Sequence, residues 1–362
     1  MVVYVSPAET NGGILQFSIT MLERTLRFTD CLLFLPDSVD ISVYNNLGEK
    51  IVLYRKIKTV NSRNKGIKVL SKMIADRNPD KIVFLEDSLL MQQLNNILRN
   101  RFLTAMVVHD VIQHPYRNMG MRKMLVEVLR RTWMKKTVSK RNRIILLSDN
   151  SKTYFDTLYK GCKAKTLCMR LGAHVPDVDP KKPVAVPELE SKYFLFFGRI
   201  DKYKGIGHLC AAYESLSDDF RNNYHLVIAG KGAFSDTEIA YIEADERIHT
   251  VNRFISDGEM NWLFENCVAV VMPYIEASQS GVLPIAYHFS KPVIVSNQPG
   301  LIENVIDGKT GYIAHSPQEL GEKMQSILGE GYEQMVDNVN DYYKKRFKWE
   351  DNIQQMLKKL ES

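Results

Sequence analysis

Short apolar runs alternate with longer segments of helical periodicity along the first part of the chain. The runs are rich in β-branched residues, and each is followed by apolar positions spaced three and four residues apart, which is typical of βαβ units with a parallel sheet. The pattern predicts these pairs of strand and helix: Val2–Val5 with Gly13–Phe28, Lys81–Leu85 with Leu89–Leu98, Ala105–His109 with Asn118–Lys136, and Arg143–Leu147 with Ser151–Leu158.

The same alternation returns after residue 190. The predicted strands are Tyr193–Phe197, His225–Ala229, Ile248–Val251, Val268–Met272 and Pro292–Val295, with a helix from Lys204 and later helices at Ser316–Leu328 and Trp349–Leu360. Between the two halves, Ala173–Glu190 contains four prolines and has no periodicity, so it is predicted to be a linker.

We therefore expect an α/β protein with two Rossmann-like, doubly wound parallel sheets that face each other across a cleft. The predicted domains are residues 1–172, a linker at 173–190, residues 191–345, and a C-terminal helix at 346–362. Sheets of this kind bind ligands at the carboxyl ends of their strands.

Length and composition agree with a water-soluble, two-domain protein. The chain has 362 residues, of which 45% are apolar and 25% charged, and single cores rarely grow beyond roughly 300 residues. Its first residues lack the features of a signal peptide, and no apolar run reaches the ~20 residues of a membrane span. Five scattered cysteines without CxxC spacing argue against disulfides and zinc. We expect a cytoplasmic location.

The net charge of +6 conceals a strong asymmetry. Residues 1–172 contain 29 Lys and Arg against 14 Asp and Glu, whereas residues 173–362 contain 19 against 28. The basic residues concentrate in a predicted amphipathic helix, where Arg122, Lys123, Arg130 and Arg131 are candidates for contact with an anionic membrane or a lipid-linked acceptor. A core-packing helix with a solvated basic face is the alternative. Nucleic acid is disfavoured, because no binding module accompanies the charge.

Two loops carry candidate chemistry for a diphosphate ligand. In FFGRIDKYKG, Arg199 offers a planar fork and Lys204 a mobile point charge, which together can neutralise phosphates. In PYIEASQSGVLP, the residues Ser280, Gly281 and Val282 begin a helix whose unpaired N–H groups favour an anion, while Glu276 can bind a hydroxyl. The alternatives are a solvated loop for the first pair and a simple capping turn for the second.

Glycines and one histidine complete the candidate set. Gly12 and Gly13, after the first strand, let the backbone approach a ligand closely, although no GxGxxG fingerprint is present. Gly230 in the sequence AGKG is a similar case. His109 ends a predicted strand and thus points to the same cleft, with a buried structural histidine as the alternative. The eight histidines show no metal-ligand spacing.

Four blocks occur in order: Asn11-Gly12-Gly13, FFGRIDKYKG, HLVIAGKG and EASQSGVLPIAYHFSKPVI. With this order the chain resembles the retaining, GT-B-fold glycosyltransferases of family 4. The resemblance implies transfer of a sugar from a UDP- or GDP-sugar to a glycan or polyprenyl-diphosphate-linked acceptor, without a metal, in surface-polysaccharide synthesis at the inner face of the cell membrane. It also implies that His109 contacts the donor sugar and that the loop of Arg253 and Phe254 flanks the base.

One position departs from the family pattern. Family members have a second glutamate, separated from the first by seven residues, which binds the ribose, but here Pro284 or Ile285 occupies that place. A nucleotide-sugar 2-epimerase of the same fold and a catalytically silent sugar-nucleotide-binding scaffold are therefore kept as alternatives.

Overall fold

The computed structural model describes residues 1–9, 13–57, 65–109, 111, 128–129, 132, 134–135, 143–161, 164–186, 192–277 and 279–361. The chain divides into two compact units. The first unit consists of Met1–Arg170 together with Trp349–Ser362, and the second unit is Leu171–Lys348.

The first unit is built on a parallel sheet with the strand order β3-β2-β1-β4-β5-β6-β7. Its strands are β1 Val2–Val5, β2 Cys31–Pro36, β3 Ile51–Tyr54, β4 Lys81–Phe84, β5 Leu103–Val108, β6 Arg143–Leu146 and β7 Lys165–Cys168. The helices whose bounds lie in the described ranges before residue 170 are α1 Gly13–Leu26, α2 Lys65–Ala75, α3 Leu89–Leu98 and α4 Asp149–Leu158, with a 3₁₀ helix at Ser42–Lys50.

The second unit contains a parallel sheet of order β10-β9-β8-β11-β12-β13. Its strands are β8 Lys192–Phe197, β9 Tyr224–Gly230, β10 Ile248–Asn252, β11 Cys267–Met272, β12 Val293–Ser296 and β13 Gly311–Ala314. Its helices are α5 Ile206–Glu214, α6 Asp218–Asn223, α7 Asp236–Ala244, α8 Asp257–Asn266, α9 Val282–His288, α10 Pro299–Ile302, α11 Pro317–Ser326 and α12 Tyr332–Arg346, with a 3₁₀ turn at Lys202–Lys204.

These elements form where burial and capping agree. The strand β11 reads CVAVVM and every one of its residues is buried, because helices cover both faces of a parallel sheet. Helix α7 begins with a capping box in which Ser235 and Glu238 bond each other's backbone N–H groups, which satisfies donors that a helix N-terminus otherwise leaves unpaired. Each unit has its own hydrophobic core.

The last helix, α13 Trp349–Glu361, belongs to the first unit. Its buried face packs against α1 and β7, and Arg24 and Arg27 both donate to Glu350 at 3.2 and 2.7 Å. The Asn352 side chain donates to Arg170 O at 3.1 Å. The C-terminal helix of the sequence analysis thus completes the first unit from Trp349 onward.

The Pro-rich segment that the sequence analysis treats as a linker packs on the second unit in its described part, residues 173–186. Asn261 of α8 donates to Pro176 O and Val178 O at 3.1 and 2.9 Å, and Lys181 N donates to Gly258 O. These hydrogen bonds hold the Pro-rich segment along α8.

Several element predictions need correction. The strands β2, β3, β7 and β13 were absent from the predicted pattern, and α1 ends at Leu26 instead of Phe28. The helix predicted from Lys204 begins at Ile206, because Gly205 adopts the left-handed conformation with φ of +68° and separates it from the preceding 3₁₀ turn. Arg122, Lys123, Arg130 and Arg131 lie outside the described residues.

No helix among the described ranges is both long and apolar enough to cross a membrane.

Candidate functional site

The strand order of the second unit defines one distinctive point on its sheet. From β8 the chain moves to β9 and β10 on one side, and then returns to β11 on the other side of β8. Loops that leave neighbouring strands in opposite directions open a crevice at the carboxyl ends, where doubly wound sheets bind ligands. Arg199 follows β8 and Glu276 follows β11. Both predicted residues therefore lie at this crossover.

Glycines allow the loops after β8 and β9 to touch. Gly230 has a φ of +152°, and a Cβ there would lie 1.7 Å from Gly198 O. A Cβ on Gly232 would lie 1.9 Å from Ile200 O, and Ile200 N donates to Lys231 O at 3.1 Å. Gly230 thus supports the loop that carries Arg199; its contact with a donor stays a prediction.

A second close approach joins the loops after β8 and β11. A Cβ on Gly205 would lie 2.0 Å from Pro273 O, so only glycine fits there. Next to it, Ile275 N donates to Tyr203 O at 2.8 Å. These contacts hold Lys204 against the residues that follow β11.

Lys204 is a desolvated cation at this point. Its Nζ lies 3.6 Å from the ring centre of Tyr274 and 5.0 Å from that of Tyr203. Burial, and secondly the positive charge of Arg199, lower the pKa of Lys204 to about 8, although Asp201 acts in the opposite direction. Such a perturbed group in a strand-end crevice is a candidate for binding or catalysis.

Among the described residues, neither of these two cations forms an ion pair, although Asp201 favours the charged form of Lys204. Within the described part of the chain, neither Arg199 nor Lys204 has a carboxylate oxygen within 4.0 Å. Two cations without an internal counter-ion fit an anionic ligand such as a diphosphate, to which charge-assisted hydrogen bonds are strong.

Helix α9 begins beside the same loops. A Cβ on Gly198 would lie 3.9 Å from Val282 Cγ2, and Val282 N donates to Ser280 Oγ at 3.3 Å. Gly281 is exposed, and nothing lies within 4 Å of the place where its Cβ would stand. The structure thus brings Ser280, Gly281 and Val282 to the loop of Arg199, and their contact with phosphates stays a prediction.

Glu276 stands in the loop between β11 and α9 and is partly buried. Pro284 and Ile285, at the place of the second family glutamate, are buried in α9, with Ile285 only 8% exposed. An apolar core position cannot present a carboxylate to a ribose. Ser278, in the same loop as Glu276, lies outside the described residues.

The loop after β10 is held by an ion pair. Arg253 donates to both carboxylate oxygens of Glu259 at 2.6 and 2.8 Å, and this contact lowers the pKa of Glu259 to about 2. Phe254 is 73% exposed. The charge of Arg253 is therefore already compensated, while the ring of Phe254 is open to a planar partner.

His109 and Gly13 belong to the first unit. The His109 imidazole Nε2 lies 2.8 Å from Leu85 O, and its ring meets Phe17 edge-on at 5.0 Å. Gly13 is exposed at the start of α1, and Gly12 lies outside the described residues. The contacts of His109 suit a structural histidine, and its role toward a donor sugar stays a prediction.

Sequence reasoning missed Tyr203 and Tyr274. The only signal was the position of Tyr274 directly after the apolar strand β11 and Pro273. Its contact with Lys204 depends on two loops 70 residues apart, so no local pattern reveals it. In the ranges that the structure describes, no group of three His, Cys, Asp or Glu is arranged to hold a metal ion.

Comparison with known proteins gives a family match and a shared fold. Residues 177–356 match the family described as Glycosyl transferases group 1. An uncharacterized glycosyltransferase, MJ1069 of Methanocaldococcus jannaschii, is 26% identical over 178 residues, which are 46% of this chain and 44% of that protein. The match thus spans less than half the length of this curated relative.

Solved structures resemble the whole chain. Sucrose-phosphate synthase from Thermosynechococcus elongatus superposes with a TM-score of 0.72 at 18% identity, covering 99% of this chain and 98% of that one. Anabaena Alr3699/HepE in complex with UDP gives 0.75 at 16% identity, covering 99% of both.

The fold is therefore that of the GT-B glycosyltransferases, as the sequence predicted. Within it, residues 177–356 resemble the glycosyl transferases group 1 family.

Proposed function

We propose that the protein is a retaining glycosyltransferase of family 4 that moves a hexosyl group from a UDP- or GDP-sugar to a glycan or polyprenyl-diphosphate-linked acceptor. The observation that supports this most is the pair Arg199 and Lys204 at the strand crossover of a domain that resembles the group 1 family, with no ion pair to a carboxylate among the described residues. The Anabaena protein in this fold is known in complex with UDP and with UDP-glucose, which supports a nucleotide-sugar donor.

The proposed mechanism is electrostatic. As the bond between sugar and diphosphate breaks, negative charge grows on the leaving oxygen. Arg199 and Lys204 stabilise that charge, and they act strongly because Lys204 is shielded from water. Ser280 and the backbone N–H groups of Gly281 and Val282 bind the remaining phosphate charge, and Glu276 orients the sugar through its hydroxyls.

The departing phosphate accepts the proton of the attacking hydroxyl on the same face of the sugar. This route needs no second catalytic carboxylate. The ribose is then bound by other groups than the family's second glutamate, and no resident metal takes part.

The cellular role that we propose is surface-polysaccharide synthesis at the inner face of the membrane. Its support is the basic excess of residues 1–172 and the cluster with Arg122, Lys123, Arg130 and Arg131, since each basic residue near an anionic leaflet contributes about 1 kcal/mol.

A thermal-shift panel tests the donor site. UDP, GDP, ADP and their sugar conjugates are each added to the full chain; a ligand at 100 times its dissociation constant stabilises by roughly 2.7 kcal/mol. We expect one uracil or guanine nucleotide to raise the Tm. NMR of the product sugar's anomeric carbon then checks retention. If none of these compounds changes the Tm, the proposed function is contradicted.

One alternative has its own structural support. The buried Ile285 leaves the chain without the family's ribose carboxylate, as expected of a silent, sugar-nucleotide-binding scaffold. Donor binding without transfer or hydrolysis across an acceptor panel favours that alternative. In the same experiment, conversion of the donor to its epimer without acceptor would identify a 2-epimerase.

A further inference from the structure

We propose that Tyr274, assisted by Tyr203, forms an aromatic seat that fixes the Lys204 ammonium at the diphosphate subsite, so that Tyr274 is a positioning residue of the donor site. The inference rests on the proposed function and extends it to a residue that does not touch the donor. The term aromatic seat refers to the rings of Tyr203 and Tyr274.

Distance and burial make this contact strong. The Lys204 Nζ lies 3.6 Å from the Tyr274 ring centre, well inside the ~6 Å limit for a cation–π interaction. The Tyr203 ring lies 5.0 Å away. Because Tyr274 is only 1% exposed, water competes weakly, and cation–π contacts gain strength when they are desolvated.

A neutral ring suits this task better than a carboxylate. Burial raises the pKa of the Tyr274 hydroxyl well above its usual range, while the Ser280 side chain acts weakly against the rise. The phenol therefore stays protonated, and the ring attracts the ammonium without cancelling its charge. A carboxylate in the same place would form an ion pair with Lys204 and compete with a diphosphate.

Three loops hold the aromatic seat in place. Gly205 contacts Pro273 with no room for a Cβ, and Ile275 N donates to Tyr203 O at 2.8 Å. At the end of β12, Ser296 Oγ donates to Tyr274 O at 2.6 Å. A lysine side chain is flexible and loses rotamer freedom when it binds a ligand, so a fixed seat orders it before the donor arrives.

The charges around Lys204 predict how the seat responds to pH. Arg199 disfavours the ammonium, Asp201 favours it, and the buried Tyr274 hydroxyl stays protonated. Burial dominates and leaves the Lys204 pKa at about 8. The ammonium is therefore lost as the pH rises through 8. UDP binding should weaken above that pH, because the neutral amine no longer attracts the diphosphate.

Calorimetric binding of UDP, or of GDP or ADP where the wild type prefers it, tests the inference. Tyr274→Leu should weaken binding at pH 7 by about tenfold or more, while Tyr274→Phe, which keeps the ring, stays within about threefold. In a Lys204→Ala background, Tyr274→Leu should change binding by less than about twofold, because residues that act through one another are not additive. Tyr274→Leu should also move the alkaline limb to lower pH, since the ammonium loses the attraction of the ring while the site stays apolar.

Tyr213→Leu is the matched control. Tyr213 is a fully buried tyrosine of the same unit, and its hydroxyl donates to Tyr224 O at the opposite end of the sheet. It should lower the free energy of unfolding without changing UDP affinity. Should Tyr274→Leu not fold, Tyr203→Leu at the partly exposed Tyr203 replaces it, with a smaller loss that also vanishes in the Lys204→Ala background.

The outcomes separate two failures. Wild-type affinity in Tyr274→Leu, an unmoved pH limb, or an additive loss on top of Lys204→Ala overturns the aromatic seat alone. A wild type that binds none of the three diphosphates overturns the proposed function, and the inference with it.

Discussion

Two pairs of cations at opposite ends of the six-stranded sheet differ in whether a carboxylate binds them. At the amino ends of β9 and β10, Arg221 and Arg247 both bind Asp245, at 2.6 Å each. At the carboxyl ends, Arg199 and Lys204 face no carboxylate within 4.0 Å, as far as the described residues go. Arg221 and Arg247 thus stabilise the fold, whereas no ion pair of Arg199 or Lys204 is found among the described residues. Arg253, also at the carboxyl ends, is paired with Glu259.

The pKa values of these groups differ in the same way between the two ends. Burial alone would raise the pKa of Asp245, but hydrogen bonds from Arg247 outweigh it and hold that pKa below its usual range. The pKa of Arg247 is correspondingly raised. At the other end, burial lowers the pKa of Lys204 to about 8. A side chain whose charged form is disfavoured by burial gains the most stabilisation from an anionic ligand.

The largest expected effect comes from adding a side chain where Gly205 contacts the backbone of Pro273. Gly205→Ala should lower the free energy of unfolding by roughly 4 kcal/mol, because a left-handed alanine costs about 1–2 kcal/mol and overlap with Pro273 O adds about 1–3. It should also abolish the UDP-induced Tm shift. Urea unfolding and thermal shift measure both. Gly48→Ala, with no atom within 4 Å of its Cβ position, is the control and should cost less than about 1 kcal/mol. Equal behaviour of the two variants would contradict the close approach.

A smaller loss, limited to stability, is expected at the amino end. Arg247→Ala leaves Asp245, whose side chain is 10% exposed, with one partner fewer, and removing one member of a buried pair costs about 3 kcal/mol. UDP affinity should not change. The exposed pair of Lys152 and Asp156 is the reference, since Lys152→Ala should cost less than about 0.5 kcal/mol. If Arg247→Ala weakens UDP binding, the two ends are not functionally separate.

The reverse result is expected for Lys204→Ala. Turnover should fall about a hundredfold, equivalent to about 2.7 kcal/mol, as on loss of one electrostatic stabiliser. The free energy of unfolding should stay within about 1 kcal/mol, because no ion pair is broken. Steady-state transfer assays and urea unfolding provide the two readings. Transfer near the wild-type rate would remove Lys204 from the mechanism.

The smallest effect concerns the histidines near the amino end. His225 Nδ1 and His249 Nε2 lie 2.8 Å apart, and burial lowers both pKa values below the ordinary 6.5, with Arg247 acting next on His225 and His225 itself next on His249. The folded state thus binds fewer protons than the unfolded state, so stability is complete above pH 6.5 and falls as the pH drops below it. His249→Phe should flatten this slope in urea unfolding. An unaltered slope in His249→Phe would show that the pair does not titrate on unfolding.

The sequence predicted the fold class because the apolar runs, which are its clearest pattern, are also the residues whose burial drives folding. Runs such as CVAVVM and KYFLFF are buried on both faces of a parallel sheet, and their hydrophobicity is visible without any tertiary context. The edge strands β3 and β7 were missed because they are only partly buried and carry mixed residues. The strand β13 was missed because it has only four residues, begins with a glycine and follows a turn that contains another glycine.

The site was only partly predictable for a related reason. Arg199, Lys204 and Glu276 lie at strand ends that apolar runs already mark. The aromatic seat was not visible, because it requires Gly205 to bring the loop of Tyr203 onto that of Tyr274. Contacts of this kind depend on where two backbones meet, which single-sequence patterns do not record.

Helix α13 sets an order for biosynthesis. Its buried residues Ile353, Met356 and Leu360 complete the core of the first unit, yet they follow the whole of the second unit along the chain. Since domains fold as the ribosome releases them, residues 171–348 emerge complete while the first unit still lacks a helix. The unit that starts first is thus the one that finishes last, and it must keep the face that α13 covers exposed until then.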